Sequence, residues 1–209
     1  MALPLLTLRT AAGGAPPETS TSNRPARLVL VAAGVVPVSL IALSTFGYGL
    51  RGMALHLALP ALALVALVAA VDPDAGAIVR RGVRSGIAAT ALYDVSRFGF
   101  LWAGVVHRDP IPHIGTALGL APAALFGYLW RYLGNGAGLA LTFRALGLRG
   151  EAAGVAYGLA VCAGLFVVLA VSPFGQEALF PLNTGTVVMA TTGHAIFGAV
   201  LGRLSRVPD

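Results

Sequence analysis

The sequence predicts an all-α polytopic membrane protein, a bundle of six transmembrane helices with both termini on the cytoplasmic side. Three observations carry that prediction. Of 209 residues, 57 % are hydrophobic and 11 % charged, against roughly a quarter charged in ordinary soluble domains, and the mean hydropathy is +0.83. The apolar residues gather into six segments, at about 28–50, 53–71, 85–106, 112–131, 152–172 and 184–203, each near the ~20 residues that cross a ~30 Å hydrocarbon core. The basic residues also alternate between the ends of these segments as a six-span topology requires.

All 14 basic residues are arginine. With the N-terminus in the cytoplasm, the inside receives Arg9, Arg24, Arg27, Arg80, Arg81, Arg84, Arg131, Arg144, Arg149, Arg203 and Arg206. The outside receives Arg51 and Arg108, and Arg97 falls in the membrane. This is the bias of the positive-inside rule. It assigns the net charge of +6 to membrane orientation, so no nucleic-acid partner is expected and the bilayer is the principal one. Cys162 is the only cysteine, which excludes an internal disulfide. Arg-only basic usage with abundant Ala and Gly points to a GC-rich, bacterial type of genome.

Residues 1–26 combine Pro, Gly, Ser and Thr without apolar periodicity and read as a disordered cytoplasmic tail. Residues 27–209 read as a single transmembrane domain. Pro37, Pro60 and Pro122 fall inside the first, second and fourth spans, where each removes a backbone hydrogen bond and favours a kink. The stretch Leu133 to Gly150 is Gly-rich and short. It is expected to turn at Gly134, Asn135 and Gly136, then to lie as an amphipathic helix in the cytoplasmic interface with Arg144 and Arg149 reaching toward phosphates. No internal repeat of the kind that marks many transporters is visible.

The third span carries Asp94 and Arg97. Three apart, they share one helical face and can pair, with Thr90 and Leu101 extending that face and Tyr93 and Trp102 near it. A charge at mid-bilayer costs about 2.5–3.5 kcal/mol on insertion scales, less when it is paired and faces the bundle interior. These residues therefore point to a buried polar pocket or, more plainly, to a salt bridge that locks helix packing.

His194 sits mid-way along the sixth span on a stripe with Thr191, Gly198 and Gly202. Gly198 and Gly202 form a GxxxG pair that admits a close neighbour, either inside the bundle or in a homo-oligomer or membrane partner. At matched depth, Asp94 and His194 can act as acid and base. His56 and His113 are the one pair placed to ligate haem, but no metal-binding pattern accompanies them, and neither metal nor cofactor is expected. Tyr128, Trp130, Arg131, Tyr132 and Asn135 cluster at the expected cytoplasmic end of the fourth span. There an aromatic belt accounts for the rings, and the amides around Asn135 suit an anion.

Three pieces, "LYDVSRF", "GNGAGLALTF" and "GHAIFGAVLG", stand in an order that resembles small, roughly six-helix membrane proteins of bacteria and archaea whose activity is uncharacterised. The shared patterns are YDxxR, NGxG and GHxxxGxxxG. The resemblance implies the fold and supplies no activity. Proteins of this kind carry a histidine shortly before the Asn-Gly pair, where this chain has Trp130, Arg131 and Tyr132.

The functional expectation is a membrane-embedded acid/base enzyme of cyclase or isomerase type acting on an isoprenoid or other lipid-like substrate. Asp94 is the candidate acid, His194 the base and Arg97 a further catalytic or substrate-holding group. Tyr93, Trp102, Thr191 and Asn135 are the candidate substrate contacts. The alternative is a small transporter, or an accessory or structural subunit of a membrane complex, using the same residues as a gate or packing bridge.

Overall fold

A computed structural model describes residues 24–206. The expected tail therefore lies outside the described residues except for Arg24–Ala26, which already belong to the first helix. The described chain is all-helical, with no strand. Four of its helices are long and apolar enough to cross a membrane, namely Arg24–Ser44, Leu50–Val71, Glu151–Val171 and Thr184–Leu204.

Helix α1 spans Arg24–Ser44 and keeps Pro37 inside it. The second rod is built from α2 (Leu50–Met53), a π-helical segment π1 (Ala54–Ala58) and α3 (Leu59–Val71). Pro60 has no N–H to give to the carbonyl one turn back, and the wider turns of π1 immediately before it absorb that loss. Only Leu50 and Val65 are buried along this rod, so its Leu- and Ala-rich surface is left for lipid. His56, His107 and His113 are all exposed.

Helix α4 spans Pro73–Trp102, ~45 Å at 1.5 Å per residue. Asp72 caps it, its Oδ1 accepting from the backbone N–H groups of Asp74 at 3.0 Å and Ala75 at 3.1 Å, and Pro73 occupies the first turn, where its missing N–H costs nothing. The buried face of α4 includes Gly82, Gly86, Thr90, Tyr93, Asp94 and Arg97.

The fourth span expected over 112–131 is not formed. Gly119, with φ of +69°, closes α5 (Ile111–Ala117) in the left-handed conformation that glycine adopts without penalty. Pro122 then stands just before α6 (Ala123–Leu129). The two short helices fold back on each other, with Gly115 against Ala123 and Gly127 against Ile111. From α6 the chain continues without a break through π2 (Trp130–Gly136) into α7 (Ala137–Ala145).

The expected turn at Gly134–Gly136 and the interfacial helix after it are corrected in the same way. Helix α7 is the most enclosed element of the bundle, with every residue from Ala137 to Phe143 buried. Glycines explain why it can sit there. Gly138 meets Gly34 of α1, and Gly86 of α4 meets Gly136 and Ala137. Backbones approach this closely only where side chains are absent.

Helices α8 (Glu151–Val171) and α10 (Thr184–Leu204) complete the bundle, joined through α9 (Gly175–Ala178). Asn183 and Thr186 form a reciprocal capping box that starts α10. Gly198 and Gly202 do receive a close neighbour, and it is intramolecular: Gly154 and Gly158 of α8 pack against Gly202, Gly198 and the His194 carbonyl.

Candidate functional site: a cavity beside a buried charge network

The periodicity of α4 places Thr90, Tyr93, Asp94 and Arg97 on one face, and π2 brings Arg131 across to it. Asp94 Oδ1 accepts from Arg97 Nε at 3.0 Å and from Arg131 Nε at 2.8 Å, and Arg131 Nη2 approaches the same oxygen to 2.5 Å. Arg97 extends the network outward. Its Nη1 reaches Asp109 Oδ1 at 2.5 Å and its Nη2 donates to the Tyr128 hydroxyl at 2.9 Å, while that hydroxyl donates to Asp109 Oδ2 at 2.5 Å.

Two guanidinium groups and two carboxylates therefore neutralise one another. Asp94 is 2 % exposed and Arg97 3 %, and mutual neutralisation of this kind is what makes burial of ions tolerable. Aromatic faces add to it, with the Arg131 guanidinium 4.6 Å over the Tyr93 ring and that of Arg97 4.6 Å over Phe98.

Asp109 lies in the connection between α4 and α5. Burial works to raise its carboxyl, but the hydrogen bonds from Tyr128 and the Ile111 backbone N–H, together with Arg97, hold it below its ordinary value.

Beside the network is a cavity of about 480 Å³, in the size range of small-molecule sites. Thr90, Tyr93, Arg97, Arg131, Asn135 and His194 bring polar groups to its wall, and most of the remaining lining is aliphatic or aromatic, from α1, α7, α8 and α10. Ser39 of α1 and Gly164 of α8 line the cavity and are also exposed. They stand on two helices that do not pack closely against each other.

His194 closes the inner corner. Its Nδ1 lies 2.8 Å from the Ala190 carbonyl. A carbonyl only accepts, so Nδ1 carries the proton and Nε2 holds the lone pair in the neutral ring. The ring meets Tyr93 edge to face, with centroids 5.1 Å apart.

Set against known proteins, the chain matches no family profile, no curated protein and no solved structure. Its function rests on this geometry alone.

The cavity gathers His194, Arg97, Tyr93 and Asn135 from among the candidates. The other three candidates stand outside it. Asp94 does not line the cavity; Arg97 and Arg131, both paired with its carboxylate, stand on it instead. Trp102 ends α4 with 93 % of its surface exposed and walls nothing. Thr191 is exposed and does not line the cavity, while Gly193 and Phe197 of the same helix pack with Tyr93.

Sequence reasoning missed Arg131 as a member of the site, having placed it at a cytoplasmic helix end. Asp109 and the Tyr128 hydroxyl were missed too. The available signal was Pro122 directly before an apolar run that reaches Ala145, which shifts the span by about three helical turns and carries Arg131 inside.

Proposed function

We propose that this protein is a six-span membrane enzyme, with both termini in the cytoplasm, that carries out acid/base chemistry of isomerase or cyclase type on an isoprenoid or other lipid-like molecule held in the cavity. The observation that carries the reading is one chamber, apolar along most of its wall, with a histidine and two pinned arginines on it and two exposed lining residues, Ser39 and Gly164, which we read as a mouth opening sideways. A bilayer-dissolved molecule enters such a chamber without crossing water. In this scheme His194 Nε2 takes a proton from one carbon of the substrate and returns it to another as the double bond shifts, Arg97 and Arg131 hold and polarise the polar end of the substrate, and Tyr93 sets the imidazole's position. The isomerase-type course is favoured over protonation of an alkene, because no carboxylic acid among the described residues lines the chamber.

The topology is supported by where the arginines gather. Arg144 donates to Ser85 Oγ at 3.2 Å and to the Leu204 carbonyl at 3.1 Å, and Arg203 donates to Glu151 at 3.1 Å. These contacts bring Arg81, Arg84, Arg144 and Arg203 to one end of the bundle, while Arg51 lies against Gly119 and Arg108 donates to the Glu177 carbonyl at the other.

The test is mass spectrometry of the organic extract of protein purified gently from its native membrane, wild type against Gly164→Leu. No atom stands within 4 Å of a Cβ at Gly164, so the leucine fills the mouth without disturbing a backbone. A discrete lipid other than bulk phospholipid should accompany the wild type and be lost from the variant. Bulk phospholipid alone in both preparations removes the proposal.

Transport is the second reading, and one observation favours it. The second rod and the Ala123–Ala145 run both carry π-helical turns, local irregularities that are frequent at functional sites. Turnover of the extracted lipid by the reconstituted protein, with its chemical change, separates enzyme from carrier.

A further inference from the structure

The charge count around the cavity says what kind of head group it takes. Among the described residues, Arg97 and Arg131 are the only guanidiniums on its wall, and both are already engaged, by Asp94 and Asp109. A phosphate or carboxylate entering here meets no uncompensated positive charge. To gain one it must displace Asp94 from two arginines and leave that carboxylate buried without partners, a loss that outweighs the new pair.

What the wall does leave unsatisfied is neutral hydrogen-bonding capacity. Thr90 Oγ1 and Asn135 Oδ1 are buried without a hydrogen-bond partner, and both residues line the same chamber. Beside them Arg131 Nη2, paired with Asp94 Oδ1 at 2.5 Å, carries a second N–H. Unpaired buried groups of this kind are rare in native proteins and each calls for a partner. Arg131 and Asn135 are four residues apart on π2 and face the cavity together. Thr90 lies against Gly136, next to Asn135. They offer a donor, an acceptor and a hydroxyl that is both.

We infer that the cavity recognises an uncharged lipid alcohol, its hydroxyl accepting from Arg131 and donating to Asn135 with Thr90 alongside, and that it discriminates against the phosphorylated or carboxylate form of the same chain. The Asn135 carbonyl oxygen decides between alcohol and anion, since it requires a donor and repels an acceptor-only head. This inference rests on the reading of the cavity as the binding site. It also gives the arginines a second meaning: they are held as neutralised donors rather than as an anion trap.

The experiment uses the full chain in lipid nanodiscs and three probes of matched length: geranylgeraniol, geranylgeranyl diphosphate and the corresponding hydrocarbon. Affinities are read from the concentration dependence of thermal stabilisation. The alcohol should bind about tenfold or more tightly than the hydrocarbon, the worth of one or two net hydrogen bonds, and more tightly than the diphosphate. Thr90→Val, close in shape and lacking the hydroxyl, should narrow the gap between alcohol and hydrocarbon several-fold, and Asn135→Leu should close it.

Tighter binding of the diphosphate overturns the inference, as does equal binding of alcohol and hydrocarbon or no response to any probe. If it falls while Gly164→Leu still strips a discrete lipid from the purified protein, the site reading stands and only the head group is wrong. If Gly164→Leu changes nothing either, both go together.

Discussion

Arg131, on the π-helical turn of one helix, and Arg97, on α4, share a single oxygen of Asp94, at 2.8 and 3.0 Å. That shared oxygen makes Asp94 a structural anion. Asp94→Asn leaves two buried guanidiniums facing an uncharged amide and should cost about 3–5 kcal/mol, as breaking a buried ion pair does. Loss of folded protein in detergent, measured by fluorescence-detected size exclusion, checks this. An Asp94→Asn protein of wild-type stability that has lost only its chemistry restores Asp94 as an acid.

His194 should separate binding from chemistry. His194→Gln retains a side chain of similar reach and removes the lone-pair nitrogen of the ring. The expected outcome is the same lipid in the organic extract at the same occupancy, with turnover of that lipid down by about 10²–10⁴-fold, the usual contribution of a positioned base. Unchanged turnover assigns the histidine to packing alone.

The Tyr93 ring is held by an absence. A Cβ on Gly193 would stand 2.6–2.8 Å from three carbons of that ring. Gly193→Ala must push Tyr93 off His194 and out from under Arg131, and it should destabilise the protein by about 1–3 kcal/mol. Gly164→Ala, in open space by the same measure, serves as the control and should shift the thermal midpoint little.

The Asp109 carboxyl is held below its ordinary value, against burial, by Tyr128, the Ile111 N–H and Arg97. Its contribution to stability is therefore complete at pH values above the unfolded carboxylate pKa of about 3.9, and it is lost as pH falls through the lower folded value. Asp109→Asn should lower the thermal midpoint by a constant amount from neutral pH down to about pH 5. The difference from wild type should shrink under stronger acid. A difference that instead grows on acidification contradicts the assigned network.

Orientation is open to direct labelling. Cys162 is buried, so single cysteines introduced at Arg51 and Arg206 report their own sides. A membrane-impermeant maleimide should modify Arg51→Cys in intact cells and Arg206→Cys only after permeabilisation. The reverse pattern inverts the topology.

Much of the fold was legible because its determinants are local. Apolar runs of bilayer length act over neighbouring residues and can be read in order. Asp94 and Arg97 announced a buried polar interior because a charge inside an apolar span needs a partner, and three residues of helix bring one within reach.

The rest depended on elements far apart in the chain. Whether 112–131 or 123–145 crosses the bundle turned on glycines: Gly34 against Gly138, and Gly86 against Gly136 and Ala137, let α7 settle between α1 and α4. That settlement carried Arg131 from an expected helix end onto Asp94 and set the two arginines, rather than Asp94, on the cavity wall. Residue type and spacing along the sequence determined that this is an all-helical chain with a buried polar interior. Only tertiary packing decided which residues share that interior, because partners 37 residues apart are selected by how closely two backbones can approach, and no local pattern records that.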